Sequence, residues 1–115
     1  MIVLPWPPSV LSPNARAHWS KKSRAAKSYR RDCYLLTRAA GVVAPDSARI
    51  SLIIEFCPPD RRHRDDDNMN AAFKSGRDGI ADALGINDSR FVTTVSVGEP
   101  VRGGAVIVKV LPFVG

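Results

Sequence analysis

Three consecutive carboxylates, Asp65-Asp66-Asp67, close the run Asp60-Arg61-Arg62-His63-Arg64. Like charges in a row repel, so the arrangement is costly unless something positive compensates it. A hard cation such as magnesium takes carboxylate oxygens of this kind and keeps several of its waters. If the run is extended, residues two apart share a side, so Asp65 and Asp67 converge while Asp66 points elsewhere. Asp88, in Ile86-Asn87-Asp88-Ser89, joins them only if its loop folds back on the start of the helix that precedes it. An ion held by such a set polarises a scissile phosphate, lowers the pKa of an attacking water and neutralises the leaving alkoxide. The plainer alternative is an acidic stretch that favours the positive end of a helix, with an unrelated loop aspartate.

Phosphate chemistry also needs cations to dock the substrate. Arg61, Arg62 and Arg64 lie beside the carboxylates, and Lys74 follows Asp67 by seven residues. Seven residues along a continuous helix is about two turns and nearly the same face. Lys74 is thus a candidate for the scissile or adjacent phosphate, the alternative being an ordinary exposed lysine. His63 stands alone among arginines with no second His, which fits a phosphate contact or a backbone-side residue better than a catalyst. Trp6 and Trp19 are of a type that stacks on exposed bases, but an aromatic beside prolines also serves as core or interface, and neither is assigned. Cys33 and Cys57 lack CxxC or Cys/His spacing and read as free thiols of a reducing cytoplasm.

The elements that must position these groups follow from periodicity. Met1 to Leu4 reads as a short strand that Pro5-Trp6-Pro7-Pro8 terminates, and Ser9 to His18 as a loop. From Ser20 to Ala40 the pattern is helical, with Gly41 as its stop. Ala26, Tyr29, Cys33, Leu36 and Ala40 fall in one stripe, and Arg24, Lys27, Arg31 and Arg38 gather opposite, as a phosphate track or as solvated surface. Ile50, Leu52, Ile54 and Phe56 alternate as one face of a strand ended by Pro58-Pro59. A second helix is expected from Asn68 to Leu84, stopped by Gly85, with Met69, Ala72, Phe73, Ile80, Ala83 and Leu84 inward. Strands near Val92–Val97 and Ala105–Leu111, joined through Arg102-Gly103-Gly104, suggest an antiparallel hairpin. The order predicts an α+β domain, two helices packed on a small mixed or antiparallel sheet.

Composition sets the outer limits. The 115 residues suit one domain over the whole chain, and 44% hydrophobic with 24% charged residues excludes disordered and fibrous classes. No apolar run approaches the roughly 20 residues of a membrane span, and no signal peptide is apparent, so a cytoplasmic protein without a membrane partner is expected. Seventeen Lys and Arg against eleven Asp and Glu give +6, which favours a polyanionic partner.

These parts, in this order, resemble the RusA family of Holliday junction resolvases. The family's signature is an arginine-rich stretch leading to Asp-x-Asp-Asn, then a helix carrying a lysine, then an acidic loop; here these are Arg61-Arg62-His63-Arg64-Asp65-Asp66-Asp67-Asn68, Lys74 and Asn87-Asp88-Ser89. Leu4-Pro5-Trp6-Pro7-Pro8-Ser9 is similar to the family's opening, and Tyr29-Arg30 to its first-helix pair. The resemblance implies a RusA-like fold and a crossover junction endodeoxyribonuclease that resolves four-way DNA junctions by paired nicks in recombination and repair. Asp65, Asp67 and Asp88 would then bind magnesium, for which manganese can substitute, and Lys74 would be the catalytic lysine. Two departures stand out. The family lysine comes one turn after the second aspartate, where this sequence has Ala71, so Lys74 matches only across a three-residue insertion, and Asn14 lies farther from Pro-Pro-Ser than the family's first-loop asparagine. The resemblance further implies a homodimer in a bacterial cytoplasm, with phage or prophage carriage common among relatives. Arg24, Lys27 and Arg31 then become phosphate contacts. Two alternatives remain open: a less structure-selective nuclease of the same fold, and a nucleic-acid-binding protein that does not cleave.

Overall fold

The computed structural model describes residues 1–114. It confirms the α+β class with a mixed four-stranded sheet: β1 (Ile2–Pro5), α1 (Trp19–Ala39), β2 (Ile50–Cys57), α2 (Asp66–Ala72), α3 (Lys74–Leu84), β3 (Phe91–Val97) and β4 (Ala105–Pro112). Single 3-10 turns at Ser9–Leu11 and Asp88–Arg90 punctuate the loops. Pro5 stays in β1, paired with Ala105, because β1 is an edge strand where a missing N–H costs nothing in the ladder.

The expected hairpin of the last two strands is not formed. The sheet order is β1-β4-β2-β3, with β3 parallel to β2 and β4 antiparallel to both β1 and β2. The reason lies in composition: β3 carries Thr93, Thr94 and Ser96 and tolerates an edge, whereas Val106 and Val108 of β4 are fully buried and need neighbours on both sides. The link between them, residues 98–104, wraps the end of β2, where Gly98 N–H donates to the Phe56 carbonyl and Val101 N–H to that of Pro58, each at 2.9 Å. β2, α2, α3 and β3 form a crossover unit, the connection that parallel strands require.

One sheet face carries the core. Ile50, Leu52, Ile54 and Phe56 are completely buried, as their alternation predicts, beside Ile2, Leu4, Val106 and Val108. Above them α1 contributes Tyr29 and Cys33, and α3 contributes Ile80 and Ala81. The α1 stripe is rotated from expectation: Thr37 is buried and satisfied by donating to the Cys33 carbonyl at 2.7 Å, while Leu36 and Ala40 are exposed. Thr37 lies four residues after Cys33 and eight after Tyr29, a line nearer the true contact than Leu36. Gly41 and Gly85 take left-handed conformations just past their helices, as stops.

The second helix is broken. Phe73, with φ −86° and ψ −3°, is a turn residue between α2 and α3, fully buried. Its ring packs edge-on against Phe56 (5.8 Å between centroids) and Tyr29 (6.2 Å), and Tyr29 Oη donates to the Pro5 carbonyl at 2.6 Å. Burial pushes the Tyr29 phenol well above its ordinary pKa, so it stays a donor. α3 then meets α1 at closest approach through Gly79, where a Cβ would stand 2.3 Å from the Arg30 carbonyl oxygen.

Gly79→Ala is therefore expected to force the two helices apart and to lower the unfolding free energy by about 1–3 kcal/mol, the usual cost of overpacking. Urea denaturation measures it, with Ala39→Gly at the exposed end of α1 as a control expected to cost about 1 kcal/mol or less. Equal losses in the two variants would remove the close approach as the cause.

Candidate active site

Pro58 and Pro59 end β2, and residues 60–65 cross to α2 over the rim of a cavity of about 670 Å³. Asp60 organises this crossing. Its carboxylate accepts from the Arg62 N–H at 2.9 Å and from the Arg64 guanidinium at 2.7 Å, and the Arg64 hydrogen bond, first of its causes, holds Asp60 below the usual carboxylate range. Arg64 also donates to the Arg62 carbonyl at 3.1 Å and lies 5.8 Å from the Trp6 ring centroid. With its side chain 15% exposed, Arg64 is a positioning residue, which corrects its expected role as a free phosphate contact. Arg61 and Arg62 are exposed; Arg61 reaches Glu99 at only 3.9 Å, a contact of little energetic weight between two solvated groups.

Asp65 is the N-cap of α2. Its backbone is extended, and its carboxylate accepts from the Asp67 N–H at 2.9 Å. Asp66 and Asp67 form the first helical turn, where negative charge is favoured. The picture of an extended Asp65–Asp67 segment with Asp66 turned away is thus corrected, because only Asp65 is extended. Asp66 and Asp67 are exposed, and neither carboxylate has a hydrogen bond or ion pair among the described residues.

Asp88 lies elsewhere. It opens the 3-10 turn that Asn87 caps by accepting from the Ser89 N–H at 2.9 Å, and its carbonyl receives Arg77 at 3.5 Å. It lines a second cavity, of about 220 Å³, with Arg30, Asp78 and Asp82. Among the described residues no three His, Cys, Asp or Glu side chains are grouped to hold a metal, so Asp65, Asp67 and Asp88 are not one assembled ligand set in the single chain. The donor chemistry suits a hard cation, which binds through one or two carboxylates together with substrate phosphate; a three-carboxylate cage is not formed.

Lys74 begins α3, beyond the break at Phe73, so the argument from a continuous helix does not hold. Its ammonium lies 3.5 Å from Asp78. Asp78 and Asp82 in turn flank Arg30, which grips Asp82 with two bonds at 2.7 and 2.9 Å and approaches Asp78 at 4.0 Å. Lys74 thus belongs to the polar network that lines the Asp88 cavity, not to the Asp65 rim. Arg24, Lys27 and Arg31 are exposed along α1 as expected. His63 is exposed on the rim of the larger cavity.

Sequence reasoning missed two positioning residues, Asp60 and Arg77, and gave Arg64 a phosphate contact in place of its bond to Asp60. Asp60 and Arg64 stand at the four-residue spacing of a pair, a signal available in the sequence. Arg77, half-buried over Phe91 and pinning the Asp88 loop, gave none, since its partner is a backbone carbonyl. Trp6 also belongs to the site: it packs edge-on against Phe56 at 6.1 Å, and a Cβ on Gly104 would stand 2.8 Å from its own Cβ.

No protein-family model matches the chain. It is 47% identical over 113 residues to an uncharacterized protein of Xylella fastidiosa, a match that covers 95% of this chain and 74% of that protein, and it belongs to the same family. No helix among the described residues is long and apolar enough to cross a membrane.

The Arg30–Asp82 grip carries a pH signature. Hydrogen bonds from Arg30 hold Asp82 below its ordinary 3.8, so the unfolded state takes up the proton first and the contribution, full above that value, is lost as pH falls through the depressed folded pKa. The pair is half-exposed, and after solvent screening it is worth about 1 kcal/mol or less. Asp82→Asn should lower the melting temperature at pH 7 and leave it unchanged at pH 2, by thermal unfolding; an equal deficit at both pH values would assign the loss to packing.

Proposed function

We propose that the chain is a metal-dependent endodeoxyribonuclease that resolves four-way DNA junctions in recombination and repair. One observation carries this reading: the exposed Asp65–Asp67 run sits at a capped helix start, with Asp65 lining the cavity and the exposed Arg61 and Arg62 just before it. Asp65 is engaged as the cap of α2, whereas the Asp67 carboxylate has no hydrogen bond or ion pair among the described residues and is open to a cation. A divalent cation, magnesium or manganese, bound there would polarise the scissile phosphate and lower the pKa of an attacking water. The chain's own groups do the rest. Arg61 and Arg62 hold the phosphate backbone against the carboxylates, Asp60 and Arg64 fix the segment that carries them, and Arg24, Lys27 and Arg31 extend the basic track along α1.

A homodimer presents two such sites to a roughly twofold junction. The sheet face away from the helices supports it: Val3 and Leu111 are about half exposed beside half-buried Ile53 and Ile107, with Glu55 and Lys109 supplying one charge of each sign for a self-complementary contact. The second reading, a nucleic-acid-binding protein without cleavage, is favoured by the separation of Asp88 from Asp65 and Asp67. Carboxylates standing on a phosphate-binding surface without a cation weigh against it.

Labelled four-way junction and matched linear duplex, incubated with and without magnesium, test the reading. Asp65→Asn and Asp67→Asn are expected to reduce junction cleavage by about a hundredfold or more while binding is retained. Asp88→Asn has the same effect if its loop closes on α2 in the complex, and a cleavage rate near normal removes Asp88 from the site. Cleavage undiminished in a chelator would sink the metal mechanism. Replacing Arg24, Lys27 or Arg31 with Ala should make the salt dependence of binding shallower by about one unit per lost contact, with chemistry on the saturated complex unchanged. Lys74→Ala should instead slow single-turnover cleavage at saturation; a normal rate there makes Lys74 a partner of Asp78 and nothing more.

A further inference from the structure

We infer that the cavity beside Asp65 receives a single unpaired nucleobase, with the attached phosphate against Arg62 and His63 on the rim. The inference rests on the nucleic-acid reading and names what occupies its site. At about 670 Å³ the cavity falls within the roughly 300–1,000 Å³ of small-molecule sites. Its walls have two chemistries. Trp6, half-buried, is the aromatic face open to the cavity, backed by the buried Phe56 and Met69, and an aromatic face of this kind is what a base stacks on. Asn14, Asn68 and Ser12 offer groups that both donate and accept, the requirement of a base edge, which always presents some of each. A purely apolar ligand would leave these amides unmatched, and a bare phosphate would leave the aromatic wall unused. Arg62 at the rim completes the match to a nucleotide, with Asp60 neutralised by Arg64 and Asp65 capping α2 beside it.

The wall is built before any ligand arrives. Trp6 is held by the edge of Phe56, by Gly104 packed against its root and by the Arg64 guanidinium over its ring. Arg64 in turn is fixed by Asp60 and by the Arg62 carbonyl. A base entering the cavity meets the Trp6 ring and, 5.8 Å from its centroid, the Arg64 guanidinium, and both kinds of plane serve as stacking surfaces for unpaired bases. Little ordering cost is then left to the binding step. Bases within a duplex are stacked and paired and cannot enter a concave site; those at a branch point or in a single strand are cheap to extrude. The cavity thereby favours a branched or single-stranded substrate over linear duplex.

The test uses the full chain with Trp19→Phe, which removes the exposed second tryptophan and leaves Trp6 as the only indole. In chelator, a short single-stranded DNA and a strand of equal length and charge with abasic sites are titrated in parallel, following Trp6 emission and, by anisotropy of a labelled strand, binding. The base-bearing strand is expected to quench Trp6 and to bind more tightly by roughly 5- to 150-fold, the worth of one base stack. Asn68→Ala, on the cavity wall and not in the core, should reduce that preference. Equal affinities for the two strands with unchanged Trp6 emission overturn the inference, as does the absence of binding by either when calcium replaces the chelator, which would also remove the nucleic-acid reading. Base-dependent quenching in a protein that never cleaves junctions in magnesium leaves the cavity assignment standing and removes the nuclease. Magnesium-dependent cleavage with a silent Trp6 does the reverse.

Discussion

Four aromatic rings in edge-to-face sequence, Trp6, Phe56, Phe73 and Tyr29, tie the segments that shape the site into one unit. Each ring comes from a different part of the chain: the segment after β1, the end of β2, the break between α2 and α3, and the middle of α1. Edge-on contacts of this kind add about 0.5–1.5 kcal/mol each beyond area burial. Their larger effect here is geometric. Tyr29 closes the sequence by donating to the carbonyl of Pro5, the residue before Trp6, so the opening segment is held by a hydrogen bond at one end and ring packing at the other. The helix break at Phe73 has its cause in the same contacts: a ring held between Phe56 and Tyr29 fixes the end of α2, and the chain restarts its helix so that Gly79 can meet α1.

The acidic run is settled by local means. Its mutual repulsion looked costly without a metal, yet the folded chain supplies other compensation: the Asp65 cap, the positive start of α2, and an arginine-rich approach tied down by Asp60. The cost is met without cation binding, so repulsion alone is not an argument for a metal. Asp66 and Asp67 have no partner for their carboxylates among the described residues, as Asp32 of α1 has none, whereas Asp78 and Asp82 are paired. The argument for chemistry lies in the place of the run, at a helix start whose cap Asp65 lines the cavity and which the exposed Arg61 and Arg62 precede, rather than in idleness.

Where one physical rule dominated, the sequence was sufficient. Alternation across Ile50–Phe56 and the glycines at 41 and 85 defined β2 and the two helix stops because burial and left-handed backbone have few other solutions. Where two segments competed for one place, it was not. The 98–104 link has the length and glycines of a hairpin, and only the contrast between polar β3 and apolar β4 indicates which belongs at the edge. The α1 stripe turned toward Thr37, because a hydroxyl that back-bonds to its own helix can be buried as cheaply as a leucine. Long-range pairings such as Arg30 with Asp82 leave no local trace at a separation of 52 residues.

The separation of Asp88 from Asp65 follows from the same architecture. α2 and α3 lie between them, and the crossover that makes β3 parallel to β2 carries the chain to the far end of α3 before Asp88 appears. Arg77 then holds the Asp88 turn by one long hydrogen bond to a carbonyl, with its own Nε buried and without a partner. A half-buried guanidinium left partly unsatisfied is a weak latch, since unmade hydrogen bonds of a charged group carry a cost that another arrangement can recover. Arg90, at the other end of the same turn, is the firmer anchor, donating to the Ser47 and Ala48 carbonyls just before β2. The Asp65 cap and the Asp88 turn are thus fixed by separate sets of contacts, the first by Asp60, Arg64 and the aromatic unit, the second by Arg77, Asn87 and Arg90, so that bringing the two acids together requires the second set to give way.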